Sequence, residues 1–95
     1  MLIIAGSATI AQVDRDVYVA AHRDLVGRCR AAAGCLDAAI SADPLDPRRV
    51  NIFERWESQE ALDGWRAVAD APDTGIEFDA DVQLYTVTDA RPPFG

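Results

Sequence analysis

The chain has 95 residues, 49% of them apolar, and a formal net charge of -7 with a pI near 4.4. That length fits one domain with a modest core, here taken as residues 1–95, and the apolar content argues against disorder. The acid excess argues against nucleic acid and anionic membranes as partners, because both are bound through clustered Lys and Arg.

The opening run MLIIAGSATIA has no basic segment, and its apolar stretch ends near Gly6, too short for the core of a signal peptide. It reads as a first strand over Leu2–Ile10. Asp14 is then the expected cap of a helix over Arg15–Ala33 that Gly34 stops. Its apolar stripe is Val17, Ala21, Leu25, Cys29 and Ala32, with Tyr18 and His22 on the flank. Arg15, Arg23, Asp24, Arg28 and Arg30 read as solvated. Cys35–Ser41 is a second strand with Leu36, Ala38 and Ile40 on one face. Two Asp-Pro pairs between Asp43 and Pro47 demand a loop.

The stretch from Val50 to Trp65 is the most informative. Val50, Ile52, Glu54 and Trp56 alternate with Asn51, Phe53, Arg55 and Glu57, which predicts a strand over Arg48–Glu57. Ser58 ends the alternation as a good N-cap, and Ala61, Leu62, Trp65, Val68 and Ala69 continue at helical spacing as far as about Asp70. A strand thus runs straight into an amphipathic helix, with two Trp and a Glu near the junction. Such a junction suggests a small-molecule pocket between sheet and helix. Ile76–Ala80 fits no period clearly, and Asp81–Thr88 reads as a last strand before a Pro-rich tail.

The order β-α-β-β-α-β is the ferredoxin-like unit, an α+β fold with a four-stranded antiparallel sheet and two helices on one face. The other face is bare and partly apolar, so it needs a cover, and a second copy would supply one. A homodimer is expected. Cys29 and Cys35 lack metal or redox-motif spacing, which fits free thiols in a reducing cytoplasm. No apolar run nears the roughly 20 residues of a membrane-spanning helix. No spacing of His or paired carboxylates supports a metal.

With Gly34-Cys35-Leu36 opening the second strand, and Phe53-Glu54-Arg55-Trp56 followed by Glu57-Ser58-Gln59-Glu60-Ala61-Leu62, nearly the whole chain resembles the antibiotic biosynthesis monooxygenase (ABM) family of dimeric α+β barrels. The resemblance implies a homodimer with a pocket between sheet and helices in each subunit. It also implies oxidation of quinols, anthrones and related polyketide aromatics by O₂, often without metal, haem or flavin. The substrate anion itself passes an electron to O₂, so the protein supplies a base, oxyanion donors and a dry cavity. Other relatives degrade haem, isomerise small phosphorylated sugars or have no known activity. Many members carry a His where this chain has Trp65. The haem-degrading branch has a Trp there, but its strand-one Asn falls at Ser7 and its haem-ligating His at Gly75, a single match in three.

The expected function is a cofactor-independent monooxygenase acting on a small hydroxylated aromatic. His22 or Glu54 is the expected proton acceptor, and Asn51 or Arg66 the oxyanion donor. Trp56 and Trp65 are expected to stack on the substrate, with Tyr85 and Ser7 as further contacts. In a regular strand Asn51 and Arg55 lie opposite Glu54 and Trp56, so the two sets cannot line one pocket, and the sequence leaves open which set meets the helices. A non-catalytic ligand-binding dimer and an isomerase or cyclase on the same scaffold stand as alternatives.

Overall fold

The computed structural model describes residues 1–94. Its elements are β1 (Leu2–Ile10), α1 (Gln12–Ala21), α2 (Arg23–Ala31), β2 (Cys35–Ala42), β3 (Arg49–Trp56), α3 (Gln59–Arg66) and β4 (Phe78–Thr86). One four-stranded sheet has the order β2-β3-β1-β4, with every neighbouring pair antiparallel. This is the expected ferredoxin-like topology.

The register settles which residues share a face. Leu2 pairs with Trp56, Ile4 with Glu54, and Ala8 with Val50. Leu2, Ile4, Ala8, Ile10, Val50 and Trp56 are all buried. They pack in two clusters against the helices: Cys29 and Leu62 join Leu2, Ile4, Ala38 and Trp56, while Tyr18 joins Ala8, Ile10 and Val50. Glu54 therefore points toward the helices, together with Ile52. Ile3, Ala5, Ser7, Asn51, Phe53, Arg55, Gln83 and Tyr85 occupy the other, uncovered face.

The expected first helix is two helices. Its start is Gln12, one residue after Ala11, and Asp14 lies in the first turn instead of capping it. The break falls at His22, where neither Pro nor Gly is present. In an unbroken helix the Tyr18 carbonyl would accept the His22 backbone N–H. Instead the His22 ring donates Nδ1–H to that carbonyl over 2.7 Å, and the backbone N–H turns to Val19 O at 3.2 Å. A side chain has entered the helical ladder, which is a known cause of kinks. The stripe is also rotated from the one expected. Tyr18 and His22 are buried while Val17 is 61% exposed, because the core under β1 takes the larger aromatic groups.

Three further boundaries shift for local reasons. Asp37, not Leu36, pairs with Arg55 after Cys35 pairs with Trp56, so a bulge at Leu36 turns that side chain outward. Helix α3 starts as expected, with Ser58 Oγ accepting the Ala61 N–H at 3.1 Å, but it stops at Arg66, short of Asp70. The Ala69 and Asp70 carbonyls are taken by the Arg28 guanidinium at 2.7 and 3.3 Å. The ambiguous stretch resolves in part into strand, since β4 begins at Phe78.

Three of the arginines expected in solvent carry structural bonds, Arg30 among them through the Ala38 carbonyl at 2.7 Å. Arg28 holds the turn after α3, and Arg15 holds the β2–β3 loop through the Asp43 and Asp46 carbonyls at 3.3 and 2.9 Å. Gly34 ends the α2–β2 turn with φ +79°, and a Cβ there would collide with the Cβ of Ala61. Only glycine combines that backbone with so close an approach of α3.

Candidate functional site

The alternation of β3 puts Glu54 among apolar neighbours. It lies beside Ile4 and Ala38 in the sheet, and Trp56 Nε1 donates to its Oε1 at 3.0 Å. Trp56 is fully buried, so its indole is a fixed support beneath the carboxylate. Trp65 of α3 stacks beside it, with ring centroids 6.5 Å apart and planes tilted by 27°. Arg28 lies 5.8 Å above the Trp65 ring, a cation–π contact from α2.

Between α2 and the sheet lies a small cavity of about 50 Å³, walled by Leu25, Cys29, Ala38, Ile52, Glu54 and Trp65. A molecule of water occupies about 30 Å³ of liquid, so this space fits a water or two and no aromatic ring. Trp65 forms part of its wall, and Trp56 is packed into the core cluster beside it. A larger but open groove of about 570 Å³ runs outside, between the α2–β2 turn and α3. It is bordered by Gly34, Glu57, Glu60 and Ala61, and Trp65 lines both spaces. The inner cavity is the candidate site, because there a carboxylate and a stacked aromatic pair meet in an apolar setting. Trp65 is the partition between it and the groove.

His22 is buried at the α1–α2 break, its ring 4.1 Å from that of Tyr18. A carbonyl only accepts, so the bond to Tyr18 O fixes the proton on Nδ1 and leaves Nε2 as the basic atom. Burial pushes the neighbouring Tyr18 hydroxyl above its usual range. His22 does not border the Glu54 cavity.

The remaining predicted residues lie elsewhere. Asn51 and Ser7 face each other on the uncovered side of the sheet. The Asn51 amide donates to Asp43 Oδ1 of the β2–β3 loop at 2.9 Å and its oxygen accepts from Arg49 Nε of β3 at 2.7 Å, so both ends are occupied. Tyr85, on the same side, is half-exposed beside Ile3. Arg66 is exposed at the end of α3. The fold thus joins Glu54, Trp56 and Trp65, places His22 further along the same layer, and separates Asn51, Ser7 and Tyr85 from them by the thickness of the sheet.

Cys29 is the wall residue that sequence reasoning assigned only to the helix stripe. Burial first, then the neighbouring Cys35 and Glu54, push its thiol up to about 12. Its helical spacing from Leu25 was the available signal, because a stripe that faces the sheet also faces any gap in it. Among the described residues there is no group of three or more His, Cys, Asp or Glu arranged to hold a metal ion. Also among them, no helix is long and apolar enough to cross a membrane.

An antiparallel ferredoxin-like sheet with an acid–aromatic cavity under its helices defines an α+β pocket protein. Residues 1–71 match the antibiotic biosynthesis monooxygenase family, and the chain belongs to it. Among curated proteins none matches. Among solved structures, an antibiotic biosynthesis monooxygenase is 25% identical, with 97% of this chain and 100% of that one covered and a TM-score of 0.67. A dimeric ferredoxin-like protein from an uncultured marine organism is 13% identical over 97% of this chain and 99% of its own, at a TM-score of 0.74. A Pseudomonas aeruginosa protein is 20% identical, over 90% and 94%, at 0.69. Family membership supports a monooxygenase-like function in general terms.

Proposed function

We propose that this protein is a cofactor-independent monooxygenase that oxidises a small hydroxylated aromatic, of the quinol or anthrone kind, with O₂. The observation that carries the reading is the Glu54 carboxylate, held by the Trp56 N–H at the wall of an apolar cavity beside Trp65. Such a carboxylate takes the acidic proton of the substrate. The resulting electron-rich anion reduces O₂, one oxygen atom enters the ring carbon as a carbonyl, and the other leaves as water. Trp65 stacks on the flat substrate after swinging toward the outer groove, since the inner cavity is too small for a ring. His22 lies outside this cavity and, like Arg66, Asn51, Ser7 and Tyr85, is assigned no contact with the reacting atoms.

The working unit is a homodimer built from whole-chain domains. The uncovered face carries Ile3, Ala5, Ala39 and Phe53 as one apolar block, and the Arg55 Nε on that face is buried without a hydrogen-bond partner. A second copy covering this block removes apolar area from water at about 25 cal/mol per Å². The free thiols fit a cytoplasmic setting.

Oxygen uptake with a panel of quinols and anthrones tests the reading: consumption that falls away in Glu54→Gln supports it. Turnover without oxygen uptake would instead assign an isomerase or cyclase. Ligand binding with no turnover at all would make the chain a binding protein.

A further inference from the structure

We propose that Cys29 and Cys35 form a reversible dithiol–disulfide pair oxidised by hydroperoxides. The two residues flank the turn between α2 and β2, and two backbone hydrogen bonds fold that turn tightly. Ala32 N donates to Cys29 O at 3.0 Å, and Cys35 N donates to Ala32 O at 3.1 Å. Cys35 packs against the cluster that contains Cys29. Cys35 is also among the neighbours that push the Cys29 thiol up, and its own Sγ donates to the Asp37 carbonyl at 3.5 Å. Both are free in this structure.

Their environments divide the chemistry between them. Cys35 is half-exposed, whereas Cys29 is buried against the cavity wall near Glu54. The thiolate is the nucleophile in thiol oxidation, so the accessible Cys35 reacts first. Its sulfur attacks one oxygen of H₂O₂, the O–O bond breaks, and Cys35 becomes a sulfenic acid as hydroxide leaves and picks up a proton. The Cys29 sulfur then displaces the sulfenic hydroxyl, which departs as water with the Cys29 proton. In sum, two thiols are oxidised to one disulfide and one peroxide is reduced to two waters. A dithiol reductant reverses the reaction by exchange. The bond would fasten α2 to β2 at the edge of the candidate site, because Cys29 lines it.

The test is peptide mapping of the intact protein under non-reducing conditions after treatment with dilute H₂O₂. The expected product is a cross-linked pair of peptides containing Cys29 and Cys35, lighter by two hydrogens and restored by dithiothreitol. In Cys29→Ala, Cys35 should proceed to the sulfinic acid, having lost its resolving thiol. Either of two results in the unmodified protein overturns the proposal: Cys35 sulfinic acid beside an untouched Cys29, or a Cys35–Cys35 link between two chains.

Discussion

Trp56 donates its indole N–H to Glu54 Oε1 across 3.0 Å, from a position with no solvent exposure. The residue that sequence reasoning cast as a stacking surface thus lies underneath the acid, and of the two tryptophans only Trp65 borders the cavity. Glu54→Gln keeps an oxygen for this bond while removing the carboxylate. Stability should stay within about 1 kcal/mol of the parent, and oxygen uptake should fall by roughly 10²-fold or more. Trp56→Phe should do the reverse of the first part, costing about 2 kcal/mol in a urea titration through lost volume and a lost donor.

The apolar block on the uncovered face gives a prediction about assembly. The 10.3 kDa chain should scatter light as a dimer at micromolar concentration. Phe53→Glu places a carboxylate among Ala5, Ala39 and Gln83, and a second copy could cover it only at a steep desolvation cost. That variant should run as a monomer with its far-UV circular dichroism unchanged. A wild-type monomer would remove the basis for the dimer.

Much of this was legible before the structure, and the limits have physical causes. The alternation from Val50 to Trp56 located β3 and defined its two faces, and Ser58 marked the start of α3. The alternation could not say which face the helices cover, because both faces carry large apolar groups; the pairing of β1 with β3 decides it. The break at His22 was hidden for a different reason. It comes from a side chain competing for a backbone acceptor, with no Pro or Gly to announce it. The bulge at Leu36 and the early end of α3 likewise depend on distant partners, Arg55 and Arg28.

Asp43 ties acid stability to one loop. The Asn51 amide, then the Asp46 and Leu45 backbone N–H groups, with Arg49 behind them, hold its carboxyl at about 2, below the ordinary 3.8. A depressed carboxyl stabilises the fold above its unfolded value, and that contribution is lost as pH falls through the folded one. The thermal midpoint of Asp43→Asn should therefore lie below wild type from pH 7 to 5, and the gap should close between about pH 4 and 2. A gap independent of pH would show that the charge of Asp43 contributes nothing.

Gly34 separates two kinds of strain. Gly34→Ala meets both a left-handed backbone and the Ala61 Cβ, and should cost about 2–3 kcal/mol. Adding Ala61→Gly removes the collision and leaves the backbone penalty. A double-mutant cycle should then show a favourable coupling of about 1 kcal/mol, measured by chemical denaturation.

Strand β1 occupies the interior of the sheet, yet its two ladders run only to residues 49–56 and 78–86. During synthesis those nine residues have no mate until some forty more have emerged, and their second edge stays open until residues 78–86 follow. Pairings this remote in sequence are slow to close. A nascent chain stalled before Phe78 would therefore display the Leu2–Ile10 edge as a sticky, β-prone stretch, and holdase chaperones would find it there.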